Sequence, residues 1–211
     1  GLSLTGEIGP AKMGLLSYIA SADLPNDRDV VFIPVGLAYD RVIEDRILTA
    51  ADESRRFRAK PLQIAWFVTR NLWRMLRGRF QSFGTAAAGF GAPISLRGFS
   101  GTTEDLGMHI MAQIGAVVPV LAVNLTAAAL LRGAKSESDL LAIATDLTQE
   151  LTRAGAVLKL PGPDRMMTEG LRPLIARGIV AADLSVPQPA LLAFYAAPLA
   201  HFLPNAAVPQ T

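Results

Sequence analysis

The sequence predicts an α/β layer over residues 1–100 followed by a mostly helical part over residues 101–211. Three observations predict it. Short β-branched or glycine-containing apolar runs at 30–33 and 84–94, each meeting a proline, read as strands. From Thr103 onward the apolar residues recur at helical spacing. Between them, residues 97–102 (Arg-Gly-Phe-Ser-Gly-Thr) mark a change of composition and charge, which places the boundary there.

The elements follow in order. Residues 11–20 have the apolar spacing of a short helix, punctuated by Leu24-Pro25-Asn26-Asp27. Val30-Val31-Phe32-Ile33 reads as a buried strand ended by Pro34. A polar, charged stretch covers 39–60. Pro61 opens a helix, because a first-turn proline loses no intrahelical hydrogen bond, and the helix continues through Leu76 to about Arg79. At 3.6 residues per turn Arg70, Arg74 and Arg77 share one face, and Ala65, Leu72 and Leu76 another. Trp66 and Trp73 fall near the seam. Residues 84–94 read as one strand leaving the sheet through Pro93.

Helices are expected over 103–118 and 120–131, with Pro119 between them. Residues 136–139 (Ser-Glu-Ser-Asp) offer N-caps for a helix to about Ala154, stopped by Gly155. A helix over 166–176 is shortened or kinked by Pro173, 179–181 forms a short strand, and 189–202 is a last apolar helix interrupted by Pro198.

Composition narrows the function classes. Of the 211 residues, 51% are hydrophobic and 18% charged, which excludes a disordered chain. Cysteine is absent, so disulfides, thiol catalysis and zinc–thiolate sites are excluded. Residues 1–100 carry 13 Lys+Arg against 9 Asp+Glu, and residues 101–211 carry 7 against 9. Eight of the basic residues lie between Arg55 and Arg79, a solvated face or a surface for an anionic partner. A winged helix within 136–185 is the nucleic-acid alternative. The acidic balance after residue 101 argues against it, because DNA binding relies on Lys/Arg to neutralise phosphates.

Residues 114–131 and 189–208 are apolar, and a spanning helix needs roughly 20 such residues. Pro119, Asn124 and Thr126 interrupt the first, and Pro198, His201 and Pro204 the second. Both read as buried core, and no transmembrane helix or signal peptide is expected.

Three stretches, in order, carry a resemblance. The first is Gly1-Leu2-Ser3-Leu4-Thr5-Gly6 followed by Pro10-Ala11-Lys12-Met13-Gly14. The second is Ile33-Pro34-Val35 with Tyr39-Asp40. The third is Phe90-Gly91-Ala92-Pro93-Ile94. Together they resemble the third and fourth conserved blocks, and the strand after them, of the membrane-associated glycerol-3-phosphate acyltransferases. Asn124-Leu125, Phe194-Tyr195 and Ala200-His201 look like the helical C-terminal region of the large bacterial members.

The resemblance implies an acyltransferase: the C-terminal part of an α/β acyltransferase domain (1–100) and a helical C-terminal domain (101–211). It implies transfer of a fatty acyl group from an acyl thioester, of acyl carrier protein or coenzyme A, to glycerol 3-phosphate in phospholipid biosynthesis. Dihydroxyacetone phosphate is the alternative acceptor. It implies substrate-binding positions at Gly1, Ser3, Lys12, Pro34 and Tyr39. The family often has Arg near Ser3 to grip the acceptor phosphate. Leu2 and Leu4 stand there, so the grip is lost or passes to Lys12 or to basic residues outside this stretch. No cofactor and no metal are implied.

Acyl transfer to a hydroxyl needs a general base and donors for the oxyanion. The family supplies the base from a His-x-x-x-x-Asp block. His109 is followed five positions on by Ile114, and His201 by Ala206, so neither fits. The opening Gly-Leu-Ser-Leu-Thr-Gly reads as the middle of a motif. A fragment without its catalytic block, inactive alone, is therefore expected. There is no Gly-x-Ser-x-Gly elbow, phosphate-cradling Gly-x-x-x-x-Gly-Lys loop or His/Asp/Glu cluster at metal spacing. A peripheral position at the cytoplasmic face of the membrane is expected. There Arg70, Arg74, Arg77, Trp66 and Trp73 would meet an anionic surface.

Overall fold

The structure, a computed structural model, describes residues 6–23, 25, 27–42, 66, 69, 73 and 84–203. It is mixed α/β at the start and mainly helical after Thr103. Helix α1 (Met13–Ala20) leads into strands β1 (Val31–Phe32), β2 (Val35–Tyr39), β3 (Ala86–Phe90) and β4 (Ile94–Ser95).

The strand expected at 30–33 exists as the shorter β1, the one expected at 84–94 is split into β3 and β4, and β2 was not foreseen. β1 pairs with β4 and β2 with β3, all antiparallel, with Phe32 opposite Ile94 and Val35 opposite Phe90. Residues 33–34 on one side face 91–93 on the other, so the ladder holds one extra residue, a bulge. Pro34 and Pro93 have no N–H to donate, so the ladder cannot run straight through them. The Gly91 N–H, donating to the Pro34 carbonyl at 2.9 Å, carries the pairing across. The run at 30–33 is also not buried, because Val31 and Ile33 face solvent. Among the described residues each sheet has two strands.

Helix α2 (Thr103–Val117) starts at a complete capping box: Thr102 Oγ1 accepts the Asp105 N–H, and Asp105 accepts the Thr102 N–H. Where a helix from 120 was expected, β5 (Pro119–Leu121) comes first and α3 (Ala122–Leu131) follows. β5 pairs in parallel with β6 (Val157–Lys159). A local reading cannot find a three-residue strand whose partner lies across two helices. Residues 122–130 of α3 are all buried, as an all-round apolar helix requires. Among the described residues no helix is long and apolar enough to cross a membrane.

Helix α4 (Glu137–Arg153) buries Leu140, Ala144, Leu147 and Leu151 on one face. Each buried leucine removes apolar surface worth about 2 kcal/mol. Gly155, at φ +76°, ends the helix as expected, in a conformation that favours glycine.

Next come α5 (Pro163–Met166), a single π turn (Met167–Leu171) and α6 (Arg172–Ala176). The widened turn lies just before Pro173, whose ring would crowd the carbonyl of Glu169 in a regular helix. The strand expected at 179–181 is absent. The Ile179 N–H instead closes the end of α6 on the Leu174 carbonyl at 3.0 Å, with Gly178 at φ +67° making the turn. Ile179 and Val180 are buried by that turn. A winged helix in 136–185 therefore lacks its expected strand. Helix α7 (Pro189–Ala196) tightens into a 3₁₀ turn, Ala197–Leu199, at Pro198. The core is built on α3, α4 and α7, and Ala38 of β2 belongs to it.

Candidate functional site

Side chains alternate across a strand, so the β2–β3 hairpin has two unlike faces. Gly36 and Ala38 stand beside Gly89 and Ala87 on the inner face. A Cβ on Gly36 would lie 2.6 Å from the Val118 Cα, and one on Gly89 would fall on the Val117 carbonyl oxygen. The backbone of the hairpin thus lies directly on the junction of α2 and β5. The outer face carries Val35, Leu37 and Tyr39 with Phe90, Ala88 and Ala86 opposite them. Phe90 is 71% exposed and Tyr39 45%. The outer face is therefore an exposed apolar surface.

Pro34 and Tyr39 sit at the two ends of β2, on opposite faces. Pro34 is buried and takes the Gly91 N–H. Tyr39 is on the open outer face. Beside it Asp40 closes the hairpin. Its Oδ1 accepts the Thr85 N–H at 2.8 Å, and its own N–H donates to the Thr85 carbonyl at 3.1 Å.

Lys12 is exposed and caps the start of α1 with extended backbone. Helix α1 leans on α2 through Met13 and Leu16, which pack where Gly107 leaves room. Gly1 and Ser3 lie outside the described residues, as do Arg70, Arg74 and Arg77. Trp66 and Trp73 are helical and exposed.

A second stitch holds β4 to the loop before β1. The Ser95 hydroxyl donates to Asp29 Oδ2 at 2.5 Å, and the Arg97 N–H donates to Oδ1 at 3.1 Å. The Ser95 hydrogen bond, and then those from the Arg97 and Val30 backbone, hold the Asp29 carboxyl below the ordinary carboxylate range.

The helical part supplies contacts that motif reading did not assign. Tyr195 on α7 is buried, and its hydroxyl accepts the Val42 N–H at 3.2 Å. Asn124 is buried as well. Its Oδ1 accepts the Leu121 N–H at 3.0 Å, and its Nδ2 donates to the Tyr195 carbonyl at 2.8 Å. Asn124 and Tyr195 both belong to the stretches that carried the resemblance, so the signal was present. Its meaning was not, because the partners are 153 and 71 residues away.

His201 Nε2 lies 2.9 Å from the Gly115 carbonyl, where its N–H donates, and its ring lies on Phe202 with centroids 3.9 Å apart. Burial pushes this imidazole below its ordinary value, against the opposing pull of the Gly115 and Pro198 carbonyls. His109 lies 5.7 Å from the Phe99 ring. Among the described residues no group of three or more His, Cys, Asp or Glu could hold a metal ion.

No family model matches the chain. It is 30% identical over 179 residues to a glycerol-3-phosphate acyltransferase of Ectopseudomonas mendocina, covering 73% of this chain and 21% of that protein. It is 30% identical over 154 residues to the enzyme so named in Pseudomonas syringae pv. syringae, covering 62% of this chain and 18% of that one. The mitochondrial glycerol-3-phosphate acyltransferase 1 of Homo sapiens is 32% identical over 96 residues, 45% of this chain and 11% of its own length. The chain thus spans about a fifth of the length of the bacterial relatives it matches.

Proposed function

This chain is related to the glycerol-3-phosphate acyltransferases, and from that kinship we propose that it serves acyl transfer to glycerol 3-phosphate. The protein carrying it takes a fatty acyl group from a thioester of acyl carrier protein or coenzyme A. It forms an ester at the acceptor's primary hydroxyl and releases the thiol, which takes up the hydroxyl proton. The observation that carries this reading is the kinship over 154–179 residues with proteins of that name.

In this reading Lys12 attracts the acceptor phosphate, Gly1 and Ser3 are further acceptor-binding positions, Tyr39 lines the acceptor pocket from the outer face of β2, and Pro34 supports it from the buried side. The base comes from a His-x-x-x-x-Asp block outside these residues. That fits His201, whose Nε2 is already engaged by the Gly115 carbonyl. No cofactor is required.

The protein carrying this chain should convert labelled glycerol 3-phosphate to its monoacyl ester with one of the two thioesters. Absence of product with both would overturn the reading. Faster turnover of dihydroxyacetone phosphate would move the acceptor to that alternative. The 211-residue chain purified alone should transfer nothing. Turnover above a heat-killed control would show that the chain carries its own base.

The same reading places the protein peripherally at the cytoplasmic face of the membrane. Exposed Trp66 and Trp73 support it, since indole rings favour the headgroup level. Arg70, Arg74 and Arg77 would add roughly 1 kcal/mol each near an anionic leaflet. Replacing the three arginines by Gln should weaken co-sedimentation with anionic vesicles. Binding that ignores both the substitutions and salt would overturn the placement.

A further inference from the structure

Two separate pieces of the early chain end on one short stretch of α7. Gly6, which closes the first motif stretch, lies so close to α7 that a Cβ on it would stand 2.5 Å from the Phe194 carbonyl oxygen and 3.1 Å from the Ala197 Cβ. Val42, two residues past Asp40 at the exit of β2, gives its N–H to the hydroxyl of the next α7 residue, Tyr195, at 3.2 Å. Tyr195 itself is 2% exposed, and its carbonyl is held by Asn124 Nδ2 at 2.8 Å. The anchor is therefore fixed from below by the core, and its hydroxyl reaches out to a strand end.

We propose that Tyr195 is a positioning residue for the acceptor end of the site. Through the Val42 amide it sets where Tyr39 and Asp40 stand relative to Gly6, which is seated beside it on α7 and leads on to Lys12. This rests on the acyltransferase reading, in which Lys12 and Tyr39 hold the acceptor from those two pieces. Freed from its tether at Val42, the end of the β2–β3 hairpin, which Asp40 and Thr85 hold together, would shift as a unit and carry Tyr39 against Lys12. It would leave the chemistry of the thioester untouched, so the loss should fall on acceptor binding.

The test is Tyr195→Phe, which removes the hydroxyl and keeps the ring in its buried place, made in the protein that carries this chain. The Val42 amide should exchange its hydrogen faster. The KM for glycerol 3-phosphate should rise roughly 3- to 10-fold, the scale of one hydrogen bond. The kcat and the KM for the acyl thioester should stay within about twofold. Ile179→Val, a core change outside both motif stretches, is the stability control and should leave the acceptor KM alone. An unchanged Val42 exchange rate overturns the proposal while leaving the acyltransferase reading intact. So does an acceptor KM that does not rise, or one that rises as much in Ile179→Val. If the unaltered protein transfers no acyl group, the acyltransferase reading falls and this proposal falls with it, whatever the exchange rates show.

Discussion

Asn124 ties the first turn of α3 to the backbone of Tyr195. Its oxygen accepts the Leu121 N–H at 3.0 Å, and its nitrogen donates to the Tyr195 carbonyl at 2.8 Å, both in the buried interior. An asparagine three residues after the N-cap that reaches back to the N-cap amide is half of a capping box.

Asn124→Leu keeps the bulk and leaves two buried backbone groups without these partners. Each unsatisfied group costs about 1–3 kcal/mol, so a loss of about 3 kcal/mol is expected. Urea unfolding followed by circular dichroism checks it. A loss under about 1 kcal/mol would mean that the two backbone groups find other partners.

Gly89→Ala and Gly14→Ala should act with opposite signs. At Gly89 the new Cβ would meet the Val117 carbonyl, which belongs to a rigid backbone. Forcing an atom into such a contact costs about 1–3 kcal/mol. At Gly14, inside α1, nothing lies within 4 Å of the new Cβ. There alanine should stabilise by up to about 1 kcal/mol through its better helix propensity. Thermal melting of the two variants beside the parent decides both.

Ser136→Ala should cost about 1 kcal/mol at neutral pH, because it removes the N-cap acceptor of α4. The Ser136 hydroxyl is also the main reason that the Asp139 carboxyl titrates below its ordinary value of 3.8, followed by the Lys135 backbone N–H. A carboxylate with a lowered folded pKa contributes stability that is present above 3.8 and is lost as pH falls through the folded value. The gap between parent and Ser136→Ala should therefore narrow below pH 3.8. Unfolding midpoints measured from pH 7 down to about 2.5 check this, and a gap that widens in acid would contradict it.

His201 gives a second pH dependence, in a different window. Burial lowers its pKa below the ordinary 6.5, so between its folded value and 6.5 the unfolded chain binds more protons than the folded one. Its contribution to stability is complete above pH 6.5 and is lost as pH falls through the folded value. His201→Gln keeps an N–H for the Gly115 carbonyl but cannot be protonated. Its stability relative to the parent should improve as the pH is lowered from about 8 to about 5. Differential scanning calorimetry of the pair reads the difference directly, and parallel curves would rule the effect out.

The helices were legible because their signals are local. Ser136 with Asp139, the leucines at 140, 147 and 151, and the stop at Gly155 all lie within one element, and the structure keeps each of them. Two apolar runs were misjudged for one reason. Residues 119–121 and 179–180 are both buried, but one is a strand and the other a helix end. The difference lies in whether Val157–Lys159 or the Leu174 carbonyl takes their backbone groups. Periodicity over three residues cannot choose between partners.

The candidate site divides along the same line. The family kinship, the mixed α/β start and the helical remainder were readable from the residue pattern alone, because these depend on identity and order along the chain, and the same pattern nominated Lys12, Pro34 and Tyr39 for the proposed site. Only the tertiary structure decided that Pro34 and Tyr39 face opposite sides of β2. It also decided that Gly36 and Gly89 are small because Val117 and Val118 lie against them, and that Tyr195 holds the exit of that strand. Those are facts about which backbone atoms meet across 153 residues in the case of Val42 and Tyr195. A side chain's neighbours at such separations are set by how the core closes, and no spacing in the sequence encodes them.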